Sequence, residues 1–351
     1  MLEWIDIMKK YYTGLDLLRF IAALGVVNFH YFFGLTDQLS WYRYGNLGVP
    51  LFFIISGFVI SQSVAVASTR NFVLGRFIRL YPLFWIACTS TYLVTLLMPN
   101  GIPVHFAEYL ISMTMLGDKL STALGYGGLV DPSYWTLAVE LMFYIGIGLF
   151  VYLFSWKHIR YFFWGWLAIS AISFLVHVDK NFIMKLLLVR HASYFILGGA
   201  LALYFEETLK TRLQKISDIL LIAVALIYST FISFIALPPY FMPHPLDGII
   251  IAAAHPILYL LVILAITTST YLQGTKTRMI FATIGGLTYP LYLLHQVIGN
   301  TIIGYFTKVS QEPKMTIALL VEIFMLFVAY IAYAQDKKIR AWLRTKWNVK
   351  N

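Results

Sequence analysis

Charge is scarce in this chain: only 12% of its 351 residues are Asp, Glu, Lys or Arg, too few to wet the surface of a soluble protein of that length. Cysteine is nearly absent as well. The single Cys88 excludes an intrachain disulfide and a thiolate cluster for a metal, and its plain reading is a small apolar filler. Nor is there a long basic tract. The net charge of +10 is broken into short clusters between apolar runs, which argues against a nucleic-acid partner and for charges placed by membrane topology. The short period-two alternation of a transmembrane β-barrel is missing. No internal repeat stands out and no appended soluble domain is expected, so residues 1–351 read as one membrane-embedded domain.

What the sequence has in abundance is apolar length. Hydrophobic residues make up 60% of the chain and aromatic ones 17%, with Trp and Tyr near the ends of apolar runs, as interfacial belts require. Most runs reach the ~20 residues that a helix needs to cross the hydrocarbon core. A helix also satisfies its own backbone there. The expected fold class is therefore all-α, a polytopic bundle in lipid. Ten spans are expected, at 15–35, 46–67, 80–98, 134–155, 161–178, 190–206, 216–236, 249–272, 279–305 and 315–335. Alternate connections then carry most of the Lys and Arg, among them Lys9, Lys10, Arg70, Arg76, Arg79, Lys210, Lys338, Arg340 and Arg344. By the positive-inside rule both termini face the cytoplasm. The first run contains Arg19 and His30 and outlasts a signal-peptide core, so it reads as a membrane helix. The longest connection, 99–133, falls on the outer side. Its amphipathic stretch 105–116 and its glycines Gly125, Gly127 and Gly128 suggest a roof over a cavity.

Ionisable residues inside apolar spans are the informative ones, because burying them costs several kcal/mol unless they are paired or wet. Arg19 and His30, eleven residues apart, project about 20° apart in azimuth and about 16 Å apart along one helix. Asp16 precedes Arg19 by three residues and can pair with it. In the fourth span Glu140 follows Trp135 by about 8 Å of helix, a depth from which it would orient the His30 imidazole or else bond a neighbour such as Tyr144. Arg76 and Arg79 share a helix face and suit bidentate contact with phosphate, or serve only as topology charges. His295, in a Tyr-rich stretch with Tyr292, is a functional imidazole or a satisfied core one.

Taken together, these segments resemble acyltransferase family 3, membrane proteins that O-acylate bacterial surface and secreted carbohydrates. Leu15, Asp16, Leu17, Leu18 and Arg19, with Asn28, Phe29 and His30, are similar to the family's Arg, ten residues, His signature. Phe52, Phe53, Ser56, Gly57 and Phe58 resemble its second-helix motif, although Pro50 stands where many members carry an acidic residue. Residues 76–85, 134–144 and 286–296 resemble its basic, Trp/Glu and Tyr/His segments, and order and spacing across the chain make the set more specific than any one motif.

The resemblance implies ten core helices, an acyl-CoA donor that is most often acetyl-CoA, and essential roles for Arg19, His30, Arg76 and Arg79. It also implies a bacterial inner or plasma membrane location, and no tightly bound cofactor. Members often carry a fused extracytoplasmic hydrolase-like domain that is not found in this sequence, so that either this bundle completes transfer itself or a separate extracytoplasmic transferase partner does. On this reading Arg76 and Arg79, with Arg19 deeper, hold the donor. His30 serves as general base or acyl carrier and Glu140 orients it. Ser56, Trp135, Tyr144, Tyr292 and His295 support a carbohydrate or lipid-linked glycan acceptor. Two other classes share the intramembrane charges: a secondary transporter or exporter, marked by flux without chemistry, and a polysaccharide polymerase or ligase fed by a lipid-linked sugar.

Overall fold

The computed structural model describes residues 11–33, 41–101, 103–125, 128–206, 210–236, 246–272 and 274–349. Lys9, Lys10 and Gly127 lie outside them. Among the described residues there are helices and no strands, and a helix stands at each expected span. They are α1 (Thr13–Phe32), α2 (Gly48–Val66), α3 (Thr69–Leu97), α4 (Trp135–Phe154), α5 (Ile159–Leu175), α6 (Ala192–Tyr204), α7 (Arg212–Ala236), α8 (Asp247–Thr268), α9 (Thr275–Leu294), α10 (Asn300–Val309) and α11 (Lys314–Lys346). A π-helical turn, His295–Gly299, joins α9 to α10. Among the described residues, seven helical spans are long and apolar enough to cross a membrane, and the chain is a multi-pass membrane protein.

The chain packs as two compact units. The first comprises Met1–Arg19, Leu47–Phe72 and Met142–Arg278, the second Phe20–Asn46, Val73–Leu141 and Met279–Asn351. At the centre of the first, α6 is buried at every position but its last, so it needs no polar face. It meets α2 at near-backbone distance. A Cβ on Gly198 would lie 1.9 Å from the Ile54 carbonyl oxygen, and one on Gly57 2.2 Å from that of Phe195. Small residues permit such an approach, and close packing drives helix association where lipid is as apolar as leucine. Phe195 also stacks on Phe143 and Phe53, at 4.3 and 4.8 Å between centroids. The buried His255 is satisfied by the Ile251 carbonyl at 2.8 Å and the Tyr194 hydroxyl at 3.1 Å.

In the second unit, the 99–133 connection contains two short helices, Phe106–Ser112 and Gly117–Leu124, and its stretch 106–114 lies along α3. Tyr109 stacks on Tyr92 at 4.5 Å. Near the tip, Trp85 Nε1 donates to the Met113 carbonyl at 3.0 Å and the Tyr81 hydroxyl to the Thr114 carbonyl at 3.2 Å. Tyr81 is sixteen residues before Leu97, so the connection descends about 24 Å along α3. Irregular backbone is tolerated at such depth only where protein satisfies it, and the aromatic donors of α3 do so here. The chain then reaches α4 well below the end of α3. The Tyr134 ring lies 5.1 Å from that of Phe84, and its hydroxyl 3.4 Å from Thr91 Oγ1. Helix α4 therefore begins level with the middle of α3.

Candidate active site

The second unit gathers His30, Glu140, Tyr292, His295, Arg76 and Arg79. The His30 and His295 rings face each other with centroids 5.2 Å apart, and the other ring beside His30 is that of Phe29. Because α4 starts level with the middle of α3, Thr136 comes level with Tyr292: its Oγ1 lies 2.6 Å from the Tyr292 hydroxyl. Glu140 is one turn further on, and its charge acts on Tyr292.

His295 is held on several sides. Its Nδ1 lies 2.8 Å from the Tyr292 carbonyl oxygen, which can only accept, so Nδ1 carries the proton and Nε2 the lone pair. That Nε2 is buried with no hydrogen-bond partner among the described residues. The π turn begins at this residue, and such widenings of a helix recur at functional sites. Two contacts fix it. The Tyr31 hydroxyl donates to the His295 carbonyl at 2.8 Å, in space that exists because residue 299 is glycine: a Cβ there would lie 1.9 Å from the Tyr31 oxygen. Asp131, fully buried, accepts the Val297 N–H at 3.0 Å with Oδ2, while its Oδ1 accepts the Ser133 N–H at 2.8 Å and hydroxyl at 2.7 Å. Both carboxylate oxygens thus act as acceptors, for three donors in all.

Asp131, Tyr31 and Glu322 were not among the sequence candidates. Asp131 carried a weak signal, as a capping residue before Pro132 and the fourth span. Glu322 carried a clear one, being ionisable inside the apolar run of α11. It is half-buried, and its charge acts on Tyr31.

At the other end of α3, Arg79 acts electrostatically on Asp336 and Arg344 of α11. The fully buried Asp336 pairs with Arg340. Phe77 and Trp347 add a ring contact at 5.8 Å. One carboxylate thus faces two guanidiniums, Arg340 and Arg79, with Arg344 close to both and Arg76 one helical turn before Arg79. The positive-inside rule alone accounts for Arg340 and Arg344, so their charge gave no separate hint of this cluster.

The remaining candidates other than Trp135 belong to the first unit. Arg19 Nη1 lies 3.8 Å from Asp16 Oδ1, and Asp16 also accepts the Tyr11 hydroxyl. Ser56 Oγ lies 3.4 Å from the Tyr144 hydroxyl, a long contact. Trp135, in the second unit, opens α4. No group of three or more His, Cys, Asp or Glu suited to a metal occurs among the described residues.

The comparisons agree with one another. YrhL of Bacillus subtilis (strain 168), a candidate peptidoglycan O-acetyltransferase by name, is 29% identical over 154 residues, 39% of this chain and 23% of its own. Nodulation protein 10 of Rhizobium leguminosarum bv. viciae is 30% identical over 156 residues, 38% of this chain and 42% of its own. ORF330 of Acidianus two-tailed virus, a candidate acetyltransferase by name, is 30% identical over 150 residues, 42% of this chain and 43% of its own. The alignments therefore span less than half of each of these relatives. No solved structure matches the chain significantly. The model of the acyltransferase domain that defines acyltransferase family 3 matches residues 12–334, and the chain belongs to that family.

Proposed function

We propose that this membrane acyltransferase is an O-acyltransferase, most readily an O-acetyltransferase, which moves an acyl group from cytoplasmic acyl-CoA to a hydroxyl of a carbohydrate or lipid-linked glycan on the outer side of a bacterial inner membrane. The observation that carries this is the facing pair of imidazoles, half-buried His30 and buried His295, in one unit with an arginine cluster suited to phosphate. Acyl transfer needs a base and a grip on the donor. Arg76, Arg79, Arg340 and Arg344 hold the donor's phosphates on this reading. Arg79 precedes Cys88, which lies within electrostatic reach of Asp131, by nine residues of α3 or about 14 Å, a rise that suits a pantetheine arm passing from the arginines toward the histidines. His30 takes the acceptor's hydroxyl proton, the alkoxide attacks the thioester carbonyl, and the thiolate leaves. A separate extracytoplasmic transferase completes delivery if the acceptor cannot reach His30.

The test is mass spectrometry of surface glycans from cells with the chain, without it, and with His30→Gln. A gain of one acyl mass per repeat, lost in the variant, supports the reading and names the acceptor. Glycans identical in all three, together with substrate flux in reconstituted vesicles, would replace it with a transporter.

A further inference from the structure

Beside His30 stands a second imidazole, His295, whose protonation pattern is set by the fold. The proton on His295 Nδ1 is committed to the Tyr292 carbonyl at 2.8 Å, and its Nε2 lone pair is buried without a partner among the described residues. An unpaired acceptor in such a place costs about 1–3 kcal/mol, so its persistence calls for a use. The ring across from it is His30, at 5.2 Å between centroids and tilted by 47°. That is about the spacing of two imidazoles joined by one N–H···N bond of ~3 Å.

We propose that His295 Nε2 is the proton-accepting partner of His30, filling the place of the carboxylate that commonly orients a catalytic histidine. This rests on the acyl-transfer reading and adds the partner through which His30 acts. One nitrogen of His30 takes the proton from the acceptor O–H as the oxygen forms its bond to the thioester carbonyl carbon. The other nitrogen passes its proton to His295 Nε2. When the tetrahedral intermediate collapses, the C–S bond breaks with its electron pair on sulfur. The proton then returns from His295 through His30 to the thiolate, and both rings end neutral. A neutral partner suits this bundle, since at rest it places no full charge beside His30 and during the step the pair carries only the one that the proton brings. Asp131 and Tyr31 are positioning residues: one holds the Val297 N–H and the other the His295 carbonyl, so together they fix the turn that aims Nε2.

The test uses the whole chain in lipid nanodiscs with acetyl-CoA as donor and an N-acetylhexosamine tetrasaccharide as acceptor, read by release of CoA. His295→Asn keeps an amide donor where Nδ1 stands and removes the Nε2 base. It should lower kcat about 10²- to 10⁴-fold, the range for a lost proton-transfer group, with KM for acetyl-CoA nearly unchanged. His30→Ala combined with His295→Asn should be hardly worse than His30→Ala alone, because the two act as one unit. The ¹⁵N imidazole spectrum of the wild-type chain should show Nδ1 protonated and Nε2 bare at His295. A protonated Nε2, or a His295→Asn variant with near-normal kcat, overturns the pairing while the acyl-transfer reading stands. A wild-type chain that releases no CoA counts against that reading, and the spectrum still decides the tautomer.

Discussion

Asp131→Asn is the sharpest perturbation of the site, since it changes one atom and leaves the shape. Native Asp131 uses both oxygens: Oδ1 takes the Ser133 N–H and hydroxyl, and Oδ2 takes the Val297 N–H. Asparagine has one oxygen. Whichever way its amide flips, either the Ser133 or the Val297 backbone N–H meets an NH₂ group and loses its acceptor in a fully buried place. One buried donor left unsatisfied costs about 1–3 kcal/mol, and loss of the ionic character of the remaining bonds adds to that. The turn His295–Gly299 should bear the cost, because Val297 is its third residue and Ser133 keeps local alternatives. A penalty of 1–3 kcal/mol corresponds to roughly 5- to 150-fold faster opening. Hydrogen exchange read by mass spectrometry in nanodiscs should therefore show that acceleration in peptides covering 295–299, with helices of the first unit such as α6 unchanged. Acyl transfer should fall with it, since Nε2 is no longer aimed. Unchanged exchange at 295–299 would refute the claim that Asp131 holds the turn.

Three further outcomes are expected. Gly299→Ala places a methyl where the Tyr31 oxygen is, 1.9 Å away, so the thermal midpoint in detergent should fall by an amount equivalent to about 2–5 kcal/mol, overpacking plus a broken buried bond, and Tyr31→Phe should cost less. Arg340→Lys and Arg344→Lys should each raise KM for acetyl-CoA at least ~10-fold with kcat held, by loss of bidentate phosphate contact, whereas Lys338→Ala on the exposed face of α11 should not. If the 99–133 connection descends along α3, a cysteine at Thr114 in a Cys88→Ala chain should resist impermeant maleimide from both sides, while one at the exposed Leu124 reacts from outside. Equal labelling at the two positions would remove the descent.

The helices were legible because each apolar run had to become one: lipid leaves the backbone no other partner. His30, His295 and Tyr292 were legible for the converse reason, as polar groups that apolar spans do not carry without cause. What the sequence concealed is depth, and one feature hid most of it. Residues 99–133 have the composition of an exposed loop, with short helical stretches and Gly125 at a φ of 75°. Nothing in that composition says that Tyr81 and Trp85 of α3 will draw the segment inward by their hydroxyl and indole N–H. Once it is drawn in, the start of α4 moves from the outer surface to the middle of α3. The apparent loop residue Asp131 then takes a fully buried place against Val297. One long-range contact pattern thus accounts for a carboxylate at the site that the composition did not announce. At the turn that carries His295, the Asp131 carboxylate is already engaged with three donors, and the group left with a free lone pair is the one that the Tyr292 carbonyl has forced into a single tautomer.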